Sequence, residues 1–245
     1  MRKKIAIIGS GIAGLTLASL LKTNIDLDFV VYEKEEILNM DEGYGIQLSI
    51  NSVNILNKIG FKQLNYKEKY FPSKLDFYSI NFNKICDLDL TTFNSENVKY
   101  TTLKRSILIK FLKEKLFSNS IMFRKKITSV EKINGKIKIN FFDGYTDVVD
   151  YLVVSDGIFS DSKSIIEKKL FKPIYFGAIA VRNQILNKDI INLNTSNISL
   201  IMGSNSHLVL YPTNQQKEIN LVCLIRKKLK NKDSIKTILE NTIFK

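Results

Sequence analysis

Cysteine and histidine are scarce in this sequence of 245 residues, and their scarcity excludes several kinds of site. The two cysteines, Cys86 and Cys223, are far apart and lack CxxC spacing, so neither a zinc site nor a disulfide framework is predicted. Two reduced thiols are typical of a cytoplasmic protein. His207 is the only histidine, and we interpret it as a partly exposed strand residue in preference to a general base.

Arginine is also rare. It occurs five times, so lysine supplies nearly all of the 37 basic residues behind the net charge of +13. A basic chain can bind nucleic acid, but tracking phosphates needs a concentrated patch of charge. The lysines here are scattered, and Lys, Asn and Ile share AT-rich codons, so genome composition explains the excess more simply. We predict no nucleic-acid partner.

Long hydrophobic runs are almost absent. Residues 5–21 follow the basic segment 1–4 and imitate a signal peptide, but Gly9, Gly11 and Gly14 interrupt the run at motif spacing. The run is also short for a transmembrane helix, and no other stretch is apolar for long enough. We therefore predict a cytoplasmic protein, with peripheral membrane contact left open. Internal repeats and low-complexity linkers are absent from the sequence.

A nucleotide-binding pattern opens the chain. Residues 4–8 form a short apolar run, residues 12–22 have a helical pattern, and residues 28–32 form a second apolar run. Strand, tight turn, helix and strand within about thirty residues predict a right-handed βαβ unit.

The turn of this unit carries a dinucleotide fingerprint, Gly9-Ser10-Gly11-Ile12-Ala13-Gly14. Gly9 permits the tight turn, Gly11 lets the backbone approach a pyrophosphate, and Gly14 lets the helix pack on the strand. The helix N-terminus offers free N–H groups to the phosphates. Glu33 follows nineteen residues after Gly14, where a carboxylate accepts hydrogen bonds from ribose hydroxyls. The fingerprint alone leaves FAD and NAD as alternatives.

Further along the chain the pattern alternates between helices and antiparallel strands. Helices are predicted at 52–59, ending at Gly60, and at 104–116. Antiparallel strands are predicted within 75–90 and in a hairpin over 127–142 with the turn Asn134-Gly135. A buried strand is expected at 151–154. The remaining predicted elements are strands at 179–181, 198–202, 207–211 and 219–225 and a helix at 233–243.

Beyond Glu33, the sequence resembles the class A flavin monooxygenases, the para-hydroxybenzoate and salicylate hydroxylase-like family. The segment 43–51, Gly-Tyr-Gly-Ile-Gln-Leu-Ser-Ile-Asn, looks like that family's GxGIxLxxN loop. The segment 101–108 looks like its helix-opening RxxL, with Arg105 as the arginine. The segment 151–160 looks like its DG segment, and 207–212, with its partner strand from 219, looks like its YP strand. The resemblance covers almost the whole chain and keeps the family's order.

The resemblance implies an α/β fold: a Rossmann-like FAD/NAD(P)-binding domain with a parallel sheet, and a mostly antiparallel β substrate domain. We expect the FAD-binding domain to be discontinuous, with residues 1–74 and 97–173, and the substrate domain to take residues 75–96 and 174–245.

The resemblance also implies which residues contact the cofactor, and it places Gly43 and Gly45 in a loop on the flavin side. The expected cofactor contacts are Gly9, Ser10, Gly11, Ile12, Ala13, Gly14, Glu33, Lys34, Gly45, Arg105, Val130, Asp156 and Gly157. Val130 matches a position that touches adenine through its backbone. Tyr211 and His207 are the candidate substrate contacts, and no metal site or catalytic side chain is assigned.

The implied reaction uses FAD as cofactor and NAD(P)H as reductant to transfer one oxygen atom from O₂ to an aromatic ring or a quinone precursor. The cofactor supplies the difficult chemistry, which explains why no catalytic triad is visible. Two alternatives stay open: a flavin-dependent reductase with the same N-terminal half, and a non-catalytic fragment of a split or truncated flavoprotein.

Three departures from the family pattern matter. Lys163 stands where the DG segment usually has arginine, and Ser155 replaces the usual alanine. The family's later Gly-Asp motif, which holds the flavin end of FAD, has no counterpart, since no glycine in this chain precedes an aspartate. We therefore expect a chain truncated at its C-terminal end. Such a chain should have low solubility, weak FAD retention and at most uncoupled NAD(P)H oxidation, because water would reach the flavin.

Overall fold

The computed structural model describes residues 2–38, 44–190, 193–215 and 217–228. Gly43 and the helix predicted at 233–243 lie outside these ranges. The strands are β1 (Lys3–Ile8), β2 (Leu27–Tyr32), β3 (Gly45–Leu48), β4 (Lys74–Ser79), β5 (Lys84–Asp89), β6 (Thr101–Lys104), β7 (Ile121–Met122), β8 (Ile127–Ile133), β9 (Lys136–Phe141), β10 (Thr146–Val149), β11 (Tyr151–Val154), β12 (Ala178–Leu186), β13 (Ile198–Met202), β14 (Ser206–Pro212) and β15 (Glu218–Arg226). The helices are α1 (Ile12–Leu21), α2 (Ile50–Asn57), α3 (Arg105–Glu114) and α4 (Asp161–Glu167), and two 3₁₀ helices, Phe61–Gln63 and Tyr66–Glu68, follow α2.

A four-stranded parallel sheet forms the centre of the nucleotide-binding half, with strand order β11-β1-β2-β7. Ile7 pairs with Val31 on one side and Val153 on the other, and Ile7 and Val31 are fully buried. Continuous apolar runs of this kind are typical of parallel strands that are covered on both faces. The predicted βαβ unit is confirmed. The strand predicted at 151–154 is present, but the prediction that it is buried is wrong: β11 is an edge strand, and Tyr151 and Val154 are exposed.

Helices α1 and α3 pack side by side and run parallel. Ser19 Oγ lies 3.4 Å from Leu112 O, and Lys22 Nζ lies 2.6 Å from Lys115 O, with the same separation of 93 residues at both contacts. The shared offset shows that the two helices run in the same direction. The two N-termini therefore lie at the same end of the sheet.

A six-stranded sheet forms the second half, with order β12-β15-β14-β13-β4-β5. Its neighbours are antiparallel except for β13 and β4, which run parallel. The sheet combines strands from residues 74–89 with strands from residues 178–226, so the mostly antiparallel character predicted for these segments is confirmed. Two smaller antiparallel sheets, β10-β9-β8 and β3-β6, complete the architecture, and the first contains the predicted hairpin at Asn134-Gly135.

Some element bounds differ from the sequence prediction. Helix α2 begins at Ile50 and ends at Asn57, two residues earlier at each end, and Gly60 follows in the left-handed region with φ +89°. Helix α4 was not predicted at all. It spans seven residues, too few to show a helical period, and its N-cap Ser160 accepts a hydrogen bond from the Lys163 N–H at 3.0 Å. In the described part of the chain, no helix combines the length and apolarity needed to cross a bilayer.

Candidate functional site

A cavity of about 200 Å³ lies at the carboxyl edge of the parallel sheet. Ligands of open α/β sheets bind at this edge. The cavity brings together six of the predicted cofactor positions. These are Gly9, Gly11, Glu33, Lys34, Asp156 and Gly157.

The three glycines of the fingerprint have different surroundings. At Gly9, where φ is +99°, an added Cβ would lie 2.7 Å from Ser155 O. At Gly14 it would lie 2.0 Å from Gly9 O, closer than any real contact. At Gly11 no heavy atom of the described residues would lie within 4 Å. Packing therefore requires Gly9 and Gly14, whereas Gly11 leaves open space in front of the α1 N-terminus, where a pyrophosphate fits.

Glu33 is tied to the glycine-rich turn. Its Oε2 accepts hydrogen bonds from the Ser10 N–H at 2.8 Å and from the Ser10 hydroxyl at 2.5 Å. Its Oε1 accepts a bond from the Glu35 N–H at 3.1 Å. These bonds fix the carboxylate at the rim of the cavity, and Lys34 lies next to it with an exposed side chain.

Two polar groups at the cavity lack hydrogen-bond partners within the described residues. Asp156 Oδ1 and Ser162 Oγ are buried and unpaired, and both residues line the cavity. The Asp156 Oδ2 atom accepts a long bond of 3.4 Å from the Ser162 N–H, and Gly157 turns the chain with φ +81°. An unpaired buried acceptor costs free energy, so these groups fit a polar ligand that supplies the missing bonds.

The other wall of the cavity comes from β2 and β8. Tyr32 is 1% exposed, and its hydroxyl donates to Asp147 Oδ2 at 2.5 Å. Burial is the main cause that raises the pKa of Tyr32, and the hydrogen bond to Asp147 raises the pKa further. Ile127 lines the cavity from β8, whereas Val130, the predicted adenine contact, is not among the lining residues and pairs with Ile139 in the three-stranded sheet. The sequence did not single out Tyr32 or Ile127.

Arg105 occupies the first position of α3. Its N–H donates to Tyr44 O at 2.8 Å. It does not line the cavity of the parallel sheet, but it begins α3, which packs in parallel against α1. Arg105 and the fingerprint therefore occupy the same end of the molecule.

Gly45 takes part in a second cluster, at the contact between β3 and the six-stranded sheet. An added Cβ at Gly45 would lie 2.7 Å from Asn220 Cβ and 2.8 Å from the Tyr211 ring. The Gly45 N–H donates to Asn220 Oδ1 at 2.5 Å. The absence of a side chain at Gly45 is thus explained by the approach of this sheet.

Tyr211 and Asn220 belong to a polar row across the six-stranded sheet. Gln184 pairs with Asn220, and Asn220 pairs with Tyr211, so the three side chains share one face. Asn220 is fully buried and Tyr211 is 4% exposed. The amide nitrogen Gln184 Nε2 is buried without a hydrogen-bond partner in the described chain, and the Asn220 amide interacts with the Tyr211 hydroxyl, whose pKa it lowers against the larger effect of burial.

Charge and protonation in this row are set by its surroundings. Burial raises the pKa of Tyr211 to about 12, so its hydroxyl is protonated at neutral pH and can donate a hydrogen bond. Arg182 lies on the same face of β12, two residues from Gln184. His207 is exposed on β14, about 13 Å along the strand from Tyr211 at about 3.3 Å per residue. The structure therefore separates His207 from the row.

The sequence prediction missed Asn220, Gln184 and Arg182. One signal was present, because Asn220 is the only polar residue in the apolar run from Ile219 to Ile225 apart from Cys223.

Comparison with known proteins agrees with this geometry. Residues 7–40 match the model of an NAD(P)-binding Rossmann-like domain. A 3-amino-4-hydroxybenzoate 2-monooxygenase of Streptomyces platensis is 26% identical over 231 residues, covering 91% of this chain and 57% of that protein. A salicylate hydroxylase of Pseudomonas putida is 22% identical over 233 residues, covering 89% of this chain and 53% of that protein.

The fold has close counterparts among solved structures. A variant of HpxO from Klebsiella pneumoniae, in complex with FAD, superposes with a TM-score of 0.83 at 17% identity, over 98% of this chain and 61% of that one. The chain spans a little more than half the length of these proteins. Its sequence is similar to those of FAD-dependent monooxygenases and of a salicylate hydroxylase, and its fold is similar to that of the HpxO variant.

Proposed function

We propose that this chain binds FAD and forms the cofactor-binding part, with a portion of the substrate-binding part, of an NAD(P)H- and O₂-dependent monooxygenase that hydroxylates a small aromatic molecule. The observation that carries the proposal is the cavity joining the open space at Gly11 to Glu33 and to the unpaired carboxylate oxygen of Asp156. The names of the relatives support the type of reaction.

The residues of the cavity fit the adenosine and pyrophosphate portions of FAD. The N–H groups at the start of α1 would bind the pyrophosphate at Gly11, since a helix N-terminus favours anions. Glu33 would accept bonds from ribose hydroxyls with the carboxylate already oriented by Ser10. Asp156 and Arg105 would hold the chain between the pyrophosphate and the flavin.

Bound FAD would supply the electron transfer and oxygen activation of the reaction. The six-stranded sheet would orient the substrate through the polar row of Gln184, Asn220 and Tyr211. The two amide nitrogens and the protonated Tyr211 hydroxyl are donors, and Arg182 adds a positive charge, so oxygen-bearing and anionic groups on an aromatic ring fit this face. Burial of the row keeps water from competing for these donors.

The proposed domain division follows from the same arrangement. We assign residues 1–74 and 97–173 to FAD binding and residues 75–96 and 174–245 to the substrate domain. The joining of strands from residues 74–89 and 178–226 into one sheet supports this division.

The cofactor is tested by heat release. Purified protein is denatured, and the released ligand is identified by chromatography and absorbance. FAD should be recovered, and apoprotein titrated with FAD should bind it in preference to NAD. Recovery of NAD without flavin would overturn the proposal.

The reaction type is tested by product analysis. NAD(P)H consumption is followed with 3-amino-4-hydroxybenzoate and salicylate, and products are examined for a new ring hydroxyl. A hydroxylated product supports a monooxygenase, whereas a saturated alkene formed from an isoprenoid substrate would indicate the alternative, a flavin-dependent reductase. NAD(P)H oxidation that yields only hydrogen peroxide is the uncoupled activity expected from the sequence, whereas the absence of any FAD-dependent NAD(P)H oxidation would contradict the proposal.

A further inference from the structure

A second cavity, of about 220 Å³, lies beside α2 and the two 3₁₀ helices that follow it. It shares no lining residue with the cavity of the parallel sheet. Three aromatic rings and three lysines line it, and among the described residues Glu96 is the only carboxylate in the lining. These six residues are Phe61, Tyr66, Phe71, Lys62, Lys69 and Lys99.

Lys69 is the least ordinary member of this lining, because it is only 5% exposed. Its Nζ donates to the carbonyl oxygens of Phe61 at 3.3 Å and Lys62 at 3.2 Å. These bonds account for two of the three donors of an ammonium group. No carboxylate pairs with Lys69 in the described residues, and burial lowers its pKa. A buried ammonium without a counter-ion is costly, so an anion in this cavity would stabilise its charged form.

The aromatic rings lie against the same cations. Lys69 Nζ is 5.2 Å from the centre of the Phe61 ring, and Lys99 Nζ is 5.7 Å from the centre of the Phe71 ring. The rings of Tyr66 and Phe71 are 5.8 Å apart at an angle of 40°. The cavity therefore offers positive charge and flat apolar surface side by side, a combination that fits a planar anion.

The wall that carries Tyr66 and Lys69 is held in place by a distant residue. Gln215 Nε2, in the turn between β14 and β15, donates to Tyr66 O and to Lys69 O, each at 2.9 Å. This anchoring fixes the backbone of the second 3₁₀ helix. The cavity is therefore preformed, as binding sites for small molecules usually are.

We propose that this cavity binds a small aromatic carboxylate. The carboxylate would pair with Lys69 and Lys99, and the ring would lie against Tyr66 and Phe71. The volume is below the roughly 300–1,000 Å³ of sites for drug-sized ligands, which favours a single ring. The site goes beyond the proposed monooxygenase function and does not depend on FAD binding, because the two cavities have no residue in common.

The test uses 4-fluorobenzoate and the full chain, with binding followed by ¹⁹F NMR. Saturable binding is expected. Lys69→Met should weaken it by about tenfold or more, because a charge-assisted hydrogen bond is lost. Lys99→Gln should weaken the binding of 4-fluorobenzoate by about threefold or more. Because the Lys99 side chain is exposed, this variant should fold normally, and it keeps the test valid if Lys69→Met fails to fold. The matched control is Lys67→Gln. Lys67 is an exposed lysine of the 3₁₀ helix Tyr66–Glu68 and does not line the cavity, so this variant should bind 4-fluorobenzoate with the affinity of the unmodified protein.

Two further arms decide the chemistry and the location. 4-Fluorobenzamide, which lacks the charge, and trifluoroacetate, which lacks the ring, should each bind at least about tenfold more weakly than 4-fluorobenzoate. An Asn220→Ala variant, altered in the six-stranded sheet, should lose at most a second, separate binding phase and should keep the phase that Lys99→Gln weakens. Absence of saturable binding, equal weakening in Lys67→Gln, or loss of binding in Asn220→Ala with full retention in Lys99→Gln would overturn the proposal. None of these results bears on whether the chain binds FAD.

Discussion

The cavity of the parallel sheet and the polar row of the six-stranded sheet are built in different ways. The cavity depends mainly on backbone: a turn of three glycines, a helix N-terminus, and one carboxylate held by Ser10. The polar row depends on side chains from three strands, and the buried amide nitrogen of Gln184 has no partner among the described residues. A backbone site tolerates few residue types, whereas a side-chain site can change its ligand by single substitutions. We therefore expect the cavity of the parallel sheet to determine folding and cofactor binding, and the polar row to determine which substrate is bound.

The largest expected effect is at Gly14, where backbone packing excludes any side chain. Gly14→Ala would place a Cβ 2.0 Å from Gly9 O, so the free energy of unfolding should fall by about 3 kcal/mol or more. Urea denaturation followed by circular dichroism measures the change.

The matched control is Gly11→Ala, since an added Cβ at Gly11 meets no atom within 4 Å and its φ of −70° suits any residue. This variant should stay within about 1 kcal/mol of the unmodified stability and yet bind FAD at least about tenfold more weakly. Equal losses of stability in both variants would contradict the distinction between packing and ligand approach.

The next effect is at Glu33. Glu33→Ala should weaken FAD binding by about 1.5–3 kcal/mol, because charge-assisted hydrogen bonds to the ribose are lost. Fluorescence titration of apoprotein with FAD measures it. Ser10→Ala is the control. It removes only the hydroxyl bond to Glu33 and keeps the backbone bond, so a loss of about 0.5–1.5 kcal/mol is expected. Unchanged affinity in Glu33→Ala would show that this carboxylate serves the turn and not the ligand.

Substitutions in the polar row should sharpen the contrast between the two regions. Asn220→Ala leaves the Gly45 N–H without its acceptor and should cost about 1–3 kcal/mol of unfolding free energy. Gln184→Ala removes an amide whose nitrogen has no partner in the described chain, so its stability should change little. Both should raise KM for an aromatic substrate more than they raise the Kd of FAD. An unchanged KM in both variants would place the substrate elsewhere.

The smallest effect concerns Tyr32 behind the cavity. Tyr32→Phe removes a hydrogen bond to Asp147, which keeps its ion pair with Lys4 at 2.6 Å. The unfolding free energy should fall by about 1 kcal/mol, and FAD affinity should change by less than about twofold. Tyr151→Phe, at an exposed ring of β11, is the control and should be neutral. A large loss of FAD affinity in Tyr32→Phe would assign its hydroxyl to the ligand.

The two regions also differ in how far the sequence predicted them. The bounds of β1, α1 and β2 agree with the sequence within one residue, because glycine spacing and apolar runs are local signals. The four strands predicted beyond residue 174 were also found. Their pairing was not predictable, since Gln184, Asn220 and Tyr211 become neighbours only through the order β12-β15-β14. An amide in an apolar strand was visible, but its partners were not.

The β8 strand illustrates a different limit. The alternating pattern predicted the strand, but the pairing of β8 with β9 shifts register between Ile127 and Ser129. A register shift of one residue exchanges the two faces of a strand. The sequence position of a residue in such a strand therefore does not determine which face its side chain lies on. The shift lies between Ile127, which lines the cavity, and Val130, which does not, and the contact of Val130 with adenine stays a prediction.

The pairing of β1 with β11 has a consequence for biosynthesis. Ile8 and Val154 are partners in the parallel sheet, although 146 residues separate them in sequence. Contacts of such long range form late, because closing a long loop costs entropy before the pairing can compensate. The nascent chain therefore leaves the ribosome with β1 and α1 complete but without the wall that Asp156 and Gly157 provide. Cofactor loading has to wait until Asp156 and Gly157 have been translated, and until then β1 depends on β2 alone for a neighbouring strand.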